Sequence, residues 1–185
     1  MKSRRVILVG IAVSAFVASG FLAGCSAPSM EVDEAVKKID AALDDTFAAV
    51  RPALKWRDGP ARMSQHRNSF TNEEDGEITV SRDRYVWTKI SKSKTIVLAK
   101  AVEKHWKAKG YDPEFVSRKG SFVEYETPEG ISVTFEVRGD VVLIVAAIAD
   151  TKYPGHSGNI DDGDFPNGLG DIGPVPNVRD PYWSK

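Results

Sequence analysis

The chain has 185 residues, enough for one ordinary domain, with 42% apolar and 28% charged side chains and a formal charge of −1. That balance predicts a packed core. It lacks the dense basic face that phosphate neutralisation requires, so nucleic acid is not an expected partner.

Lys2, Arg4 and Arg5 precede a run from Val6 to Gly24 that holds no charged side chain. A basic start, an apolar middle and small residues before a cut define a secretory signal. The run ends in Leu22-Ala23-Gly24-Cys25, and Cys25 is the only cysteine of the chain. This ending resembles the bacterial lipobox, in which diacylglycerol joins the cysteine sulfur and a peptidase cuts before it. The resemblance implies a signal peptide over residues 1–24, a lipidated tether over 25–30, and a membrane partner held through diacylglyceryl-Cys25. Two acyl chains at about 0.8 kcal/mol per buried CH₂ give stable attachment. The expected location is the extracytoplasmic face of the cell membrane.

Removing the leader leaves 22 basic against 26 acidic side chains, a charge of about −4, which argues against adsorption to anionic lipid by charge alone. A single cysteine excludes an intrachain disulfide and a cysteine-based zinc cluster. The other reading of the apolar run is an uncleaved membrane helix, since roughly 20 apolar residues span a bilayer. In both cases the positive end stays inside and the domain lies outside the cytoplasm. Ser3-Arg4-Arg5-Val6-Ile7-Leu8 also resembles a twin-arginine export signal, which leaves the export route open.

A first helix is expected over residues 31–50. Val32, Val36, Ile39, Leu43, Phe47 and Val50 recur at spacings of three and four, and Pro52 stops the helix. Residues 51–75 read as irregular, with Trp56 and Phe70 at the core edge and His66 in an exposed loop. A first strand is expected over 76–91. Tyr85 and Trp87 lie on one face, and Arg82-Asp83-Arg84 interrupts the apolar pattern as a bulge or bend with a solvated basic edge. The basic pair reads alternatively as a small anion site.

Ser91 or Ser93 opens the second helix as its N-cap, and Gly110 closes it. Ile96, Val97, Ala101, Val102, His105 and Trp106 form its expected buried side, with His105 half-buried beside Trp106. Four strands follow with turns between them, over 111–117, 121–127, 131–137 and 141–149. The third alternates strictly, Ile131, Val133, Phe135 and Val137 against Ser132, Thr134 and Glu136. The last is apolar on both parities, as a doubly covered strand is. Arg138-Gly139-Asp140 reads as a tight turn.

Short connections make consecutive strands antiparallel neighbours. The expected fold is therefore α+β, an antiparallel sheet of about five strands with two helices packed on one face, in the order α-β-α-β-β-β-β over residues 31–150. Residues 151–185 carry six Gly and five Pro and read as an extended tail. Asp161, Asp162, Asp164 and Asp171 lack the spacing of a calcium loop, so no metal is expected.

Tyr85, Trp87 and Tyr125 are expected together on the second face of the sheet, as an aromatic patch for a partner or an apolar ligand. Tyr182 and Trp183 are expected to dock on the domain or on a partner. No catalytic motif and no cofactor site is found. Glu124, Glu126 and Glu136 are carboxylates on strands, a weak basis for an envelope hydrolase.

The lipobox, the strand Ser81-Arg82-Asp83-Arg84-Tyr85-Val86-Trp87-Thr88-Lys89-Ile90-Ser91, the stretch Val102-Glu103-Lys104-His105-Trp106 with Lys109-Gly110-Tyr111, and the ending Pro176-Asn177-Val178-Arg179-Asp180-Pro181-Tyr182-Trp183-Ser184 resemble small membrane lipoproteins of actinobacteria such as Streptomyces. That group implies no activity and no catalytic residue. Some of its members carry one cysteine near the first strand and another after the last. This chain has neither, so its tail is expected to hold by packing. The expected role is a membrane-anchored, non-catalytic binding or interaction module whose partner is an envelope protein or a small ligand. The alternative is a ligand-binding accessory lipoprotein, for example one serving a transporter.

Overall fold

The computed structural model describes residues 30–117, 120–160 and 175–185. Cys25, the leader, most of the tether and the acidic run from Asp161 to Asp171 lie outside the described residues. The fold is α+β. Two helices, α1 (Val32–Ala49) and α2 (Lys92–Ala108), pack on one face of an antiparallel sheet. The strands are β1 (Trp56–Arg67), β2 (Glu74–Val86), β3 (Asp112–Val116), β4 (Phe122–Glu126), β5 (Ile131–Arg138), β6 (Val141–Lys152) and the two-residue β7 (Gly158–Asn159), in the sheet order β3-β4-β5-β6-β2-β1-β7.

Helix α1 buries Ala35, Ile39, Ala42, Leu43, Thr46 and Phe47 against the sheet, and Asp33 and Glu34 in its first turn suit the positive end of the helix dipole. Helix α2 starts at Ser91, whose hydroxyl accepts a hydrogen bond from the Lys94 amide. Gly110 follows its end in the left-handed region, with φ +77°. The two helix C-termini meet: Trp106 Nε1 donates to Thr46 Oγ1 at 3.0 Å, and His105 Nε2 donates to Asp45 Oδ2 at 2.7 Å. Strands β4, β5 and β6 send Val123, Tyr125, Ile131, Val133, Phe135, Ile144, Ala146 and Ile148 into the same core.

Strand β1 was not expected, because residues 51–75 read as irregular. Its inward positions are Trp56, Asp58, Ala61, Met63 and Gln65, which carry little apolar alternation. Pro60 falls where the β1–β2 register shifts between Asp58 and Ala61, a place that tolerates a residue without an amide proton. Gly59 lies so close to β2 that a Cβ there would meet Tyr85 Cε2 at 3.0 Å and the Asp83 carbonyl at 3.1 Å. The bulge expected at Arg82–Arg84 thus falls on the partner strand. The β2–β6 register runs unbroken from Val80 to Tyr85.

The expected boundary at residue 150 lies inside β6. The chain end then runs beside residues 87–91: the Asn177 and Val178 amides donate to the Trp87 carbonyl, Lys89 N–H donates to Val178 O, and Ser91 N–H donates to Trp183 O. No helix among the described residues is long and apolar enough to cross a membrane.

Candidate functional site

The five residues expected to form an interaction surface occupy three separate places. Tyr85 and Trp87 do share the outer face of the sheet, but both are half-buried. The Arg57 guanidinium stacks 4.1 Å from the Trp87 ring, and Leu143, paired with Tyr85, is buried on the same face. The Tyr85 hydroxyl donates to Asp83 Oδ2 at 3.0 Å. Burial first, and the Asp83 charge second, push its phenol above the ordinary value.

Tyr125 is not on this face. It shares the parity of Val123, so it points inward and is fully buried, its ring 5.7 Å from Trp106 and its hydroxyl donating to Glu103 Oε1 at 3.1 Å. Trp183 is also removed from the surface. It is 1% exposed, belongs to the core, and donates from Nε1 to the Pro52 carbonyl at 2.8 Å. Tyr182 stays 40% exposed with Lys94 Nζ 3.5 Å over its ring.

Arg82 and Arg84 are not a solvated edge. Both are buried on the inner face of β2 beneath α1. Arg82 Nε lies 2.9 Å from Asp40 Oδ1 and its Nη1 donates to the Gly59 carbonyl. Arg84 donates to Asp58 Oδ1 at 2.6 Å and to Asp44 Oδ1 at 2.5 Å, and its guanidinium stacks 4.1 Å from Trp56. The anions of this basic pair are therefore the chain's own carboxylates. Burial lifts Asp40 above the ordinary carboxylate value although Arg82 and Arg84 oppose the shift. The network ties α1 to β1 and β2.

The surface that sequence reasoning placed inside is on α2. Ile96 and Val97 were expected in the core, yet they are 48% and 41% exposed, while Leu98, Ala99, Val102 and Trp106 are buried. Ile96 borders two adjoining clefts. One, of about 400 Å³, runs between α2 and β3–β4 past Ala99, Glu103, Val116 and Val123. The other, of about 430 Å³, reaches Ile90, Thr95, Val137, Gly139 and Val142 at the β5–β6 turn. Every residue of β3 is exposed, including Val116 in the first cleft and Phe115, whose ring sits 5.7 Å from Phe122 on the other face.

A further cleft of about 370 Å³ beside α1 is lined by Lys38, Asp45, Lys109, Tyr111 and Glu129. Burial disfavours the Asp45 charge there, but hydrogen bonds from His105 and Lys109 outweigh it and hold the carboxyl below its ordinary value. Glu124 and Glu136 face outward and are taken up by Ser132 and Arg138. His66, expected in a loop, stands on β1 near Glu77 and Asp150. Comparison of the chain with protein families, with characterised proteins and with solved structures finds no match.

Proposed function

We propose that the chain is a lipid-anchored protein of the cell envelope, held through Cys25, whose domain is a non-catalytic interaction module of the kind its resemblance to small actinobacterial lipoproteins suggests. The anchor is supported by the lipobox-like ending of the leader. The module reading is supported by one observation above the others: Ile96 and Val116 stand exposed in a cleft between α2 and the edge strand β3 that is apolar along Ala99 and Val123 and bordered by Lys100, Glu103 and Ser117. Two large aliphatic side chains left in water there are a cost that a partner removes. The proposed occupant is an apolar segment of an envelope protein, seated beside Ile96.

The same clefts, at about 400 and 430 Å³, fall in the range of small-molecule sites, which keeps a ligand-binding accessory role as the second reading. The exposure of Ile96 and Val116 at the rim favours a protein partner.

The test has two arms. Cys25→Ser should move the protein out of the membrane fraction; retention there would reject the lipid anchor. A photo-crosslinking residue at position 96 should give a discrete adduct in intact cells that the same residue at position 136, on the outer face, does not give. Identical patterns from both positions would reject the cleft as the interaction surface.

A further inference from the structure

Strand β2 has β1 on one side and β6 on the other, and both pairings lose register at the same end of the strand. Beside β1 the register shifts between Gln65 and Arg67, so that His66 stands opposite an extra stretch of β2 that ends in Glu77. Beside β6 it shifts between Ile78 and Val80, where Ala149 and Asp150 stand opposite Thr79 alone. Asp150 takes a left-handed backbone, φ 57°. Such shifts re-aim side chains that a regular ladder would keep apart. Here they converge three: one ligand atom each from His66, Glu77 and Asp150 lies within 4.8 Å of the other two.

We propose that His66, Glu77 and Asp150 form a binding site for a divalent transition-metal ion, Zn²⁺ being the best fit. Carboxylates alone meet at many protein surfaces. An imidazole held with two carboxylates is a different donor set, because the nitrogen selects zinc-like ions over calcium and magnesium. The imidazole is also oriented from behind. Its Nε2 lies 2.5 Å from Thr79 Oγ1, on the neighbouring outward position of β2. With Nε2 as the donor, that bond leaves Nδ1 for the ion and supplies the outer partner that metal-binding histidines have. Zinc bonds of about 2.0–2.2 Å place tetrahedral ligand pairs roughly 3.4 Å apart, so closure from a spacing of at most 4.8 Å needs side-chain movements of at most about 1.4 Å. Three protein ligands leave a fourth position for water.

The test uses the full-length chain in detergent, stripped with a chelator and titrated calorimetrically with Zn²⁺ alone. One ion per chain should bind, and His66→Ala and Asp150→Asn should each weaken binding about tenfold or more, since even outer partners cost that much. Asn suits the position because it tolerates the left-handed backbone. His105→Ala, at the helix ends, should leave binding unchanged. If His66→Ala fails to fold, imidazole ¹⁵N shifts of the unaltered chain decide: Zn²⁺ should move Nδ1 of His66. Absence of saturable uptake, binding that survives both variants, or a zinc-induced shift confined to His105 or His156 would overturn the site.

Discussion

Replacing Trp183 by alanine should destabilise the domain by roughly 3 kcal/mol although the residue is third from the chain end. An aromatic side chain buries about 150–250 Å², and at about 25 cal/mol per Å² that is roughly 4–6 kcal/mol as an upper bound. Trp183 is buried almost completely, and the substitution also removes its Nε1 hydrogen bond to Pro52 O, worth about 1 kcal/mol net. The full sum is not expected. A cavity deep in a core cannot be escaped, but residues 175–185 can lift away, so the cost stops at the docking energy of that segment.

Lifting has its own signature. The Lys89 and Ser91 amides would lose Val178 O and Trp183 O as acceptors, and their hydrogen exchange should accelerate. Trp183→Phe keeps most of the apolar contact and should cost only about 1 kcal/mol. Urea unfolding followed by circular dichroism gives the stabilities, and exchange read by NMR gives the local opening. An alanine variant within about 0.5 kcal/mol of the unaltered protein, with Lys89 and Ser91 exchange unchanged, would refute a tail held by packing.

Asp40 and Asp45 should affect acid stability with opposite signs. Asp40 has a folded value above the ordinary 3.8, so the native state is the better proton binder; its contribution is present below 3.8 and is lost as pH rises through the raised value. An NMR titration placing Asp40 at or below 3.8 would sink that sign. Asp45 is lowered, so its contribution is present above 3.8 and is lost as pH falls through the lowered value. His105→Ala should return Asp45 toward its ordinary value, and an unmoved Asp45 titration would discount the hydrogen bond. On α2, Val97→Ala should change stability by less than about 0.5 kcal/mol, whereas Leu98→Ala should cost about 2–5 kcal/mol. Equal costs by urea unfolding would mean the helix presents a different face.

Residues whose burial follows one period were legible in the sequence, and those whose burial follows a partner were not. The α1 stripe and the alternation of β5 need no knowledge of neighbours. Strand β1 does: Asp58 points inward because Arg84 on β2 points inward, so an ion pair erases the apolar alternation that marks a strand. Tyr125 was assigned by its aromatic type, although its parity with Val123 already placed it inside. Ile96-Val97-Leu98 is a consecutive apolar run covering about 200° of a helix at 3.6 residues per turn. One packed face cannot bury all three, and Leu98 is selected because it is in line with Val102 and Trp106. His66, Glu77 and Asp150 leave no local spacing to read, since two register shifts bring them together.

The position of the α2 clefts within the fold constrains what reaches them. Met30, the first described residue, bridges to Thr151 and accepts a hydrogen bond from Lys152 N at the end of β6. The second cleft touches Gly139, Asp140 and Val142, at the start of the same strand. Strand β6 is twelve residues long, so its two ends are roughly 37 Å apart at about 3.4 Å per step. A fully extended tether from Cys25 to Met30 adds at most about 17 Å. Under the proposed anchor, the cleft beside Ile96 is therefore at the end of the sheet away from the attachment point, about a strand length from Met30. The His66 set stands at the other end, by Asp150 and the entry of the chain. The two sites are a strand length apart and share no residue, so a substitution in one should leave the other intact, and loss of both together would mean loss of the fold.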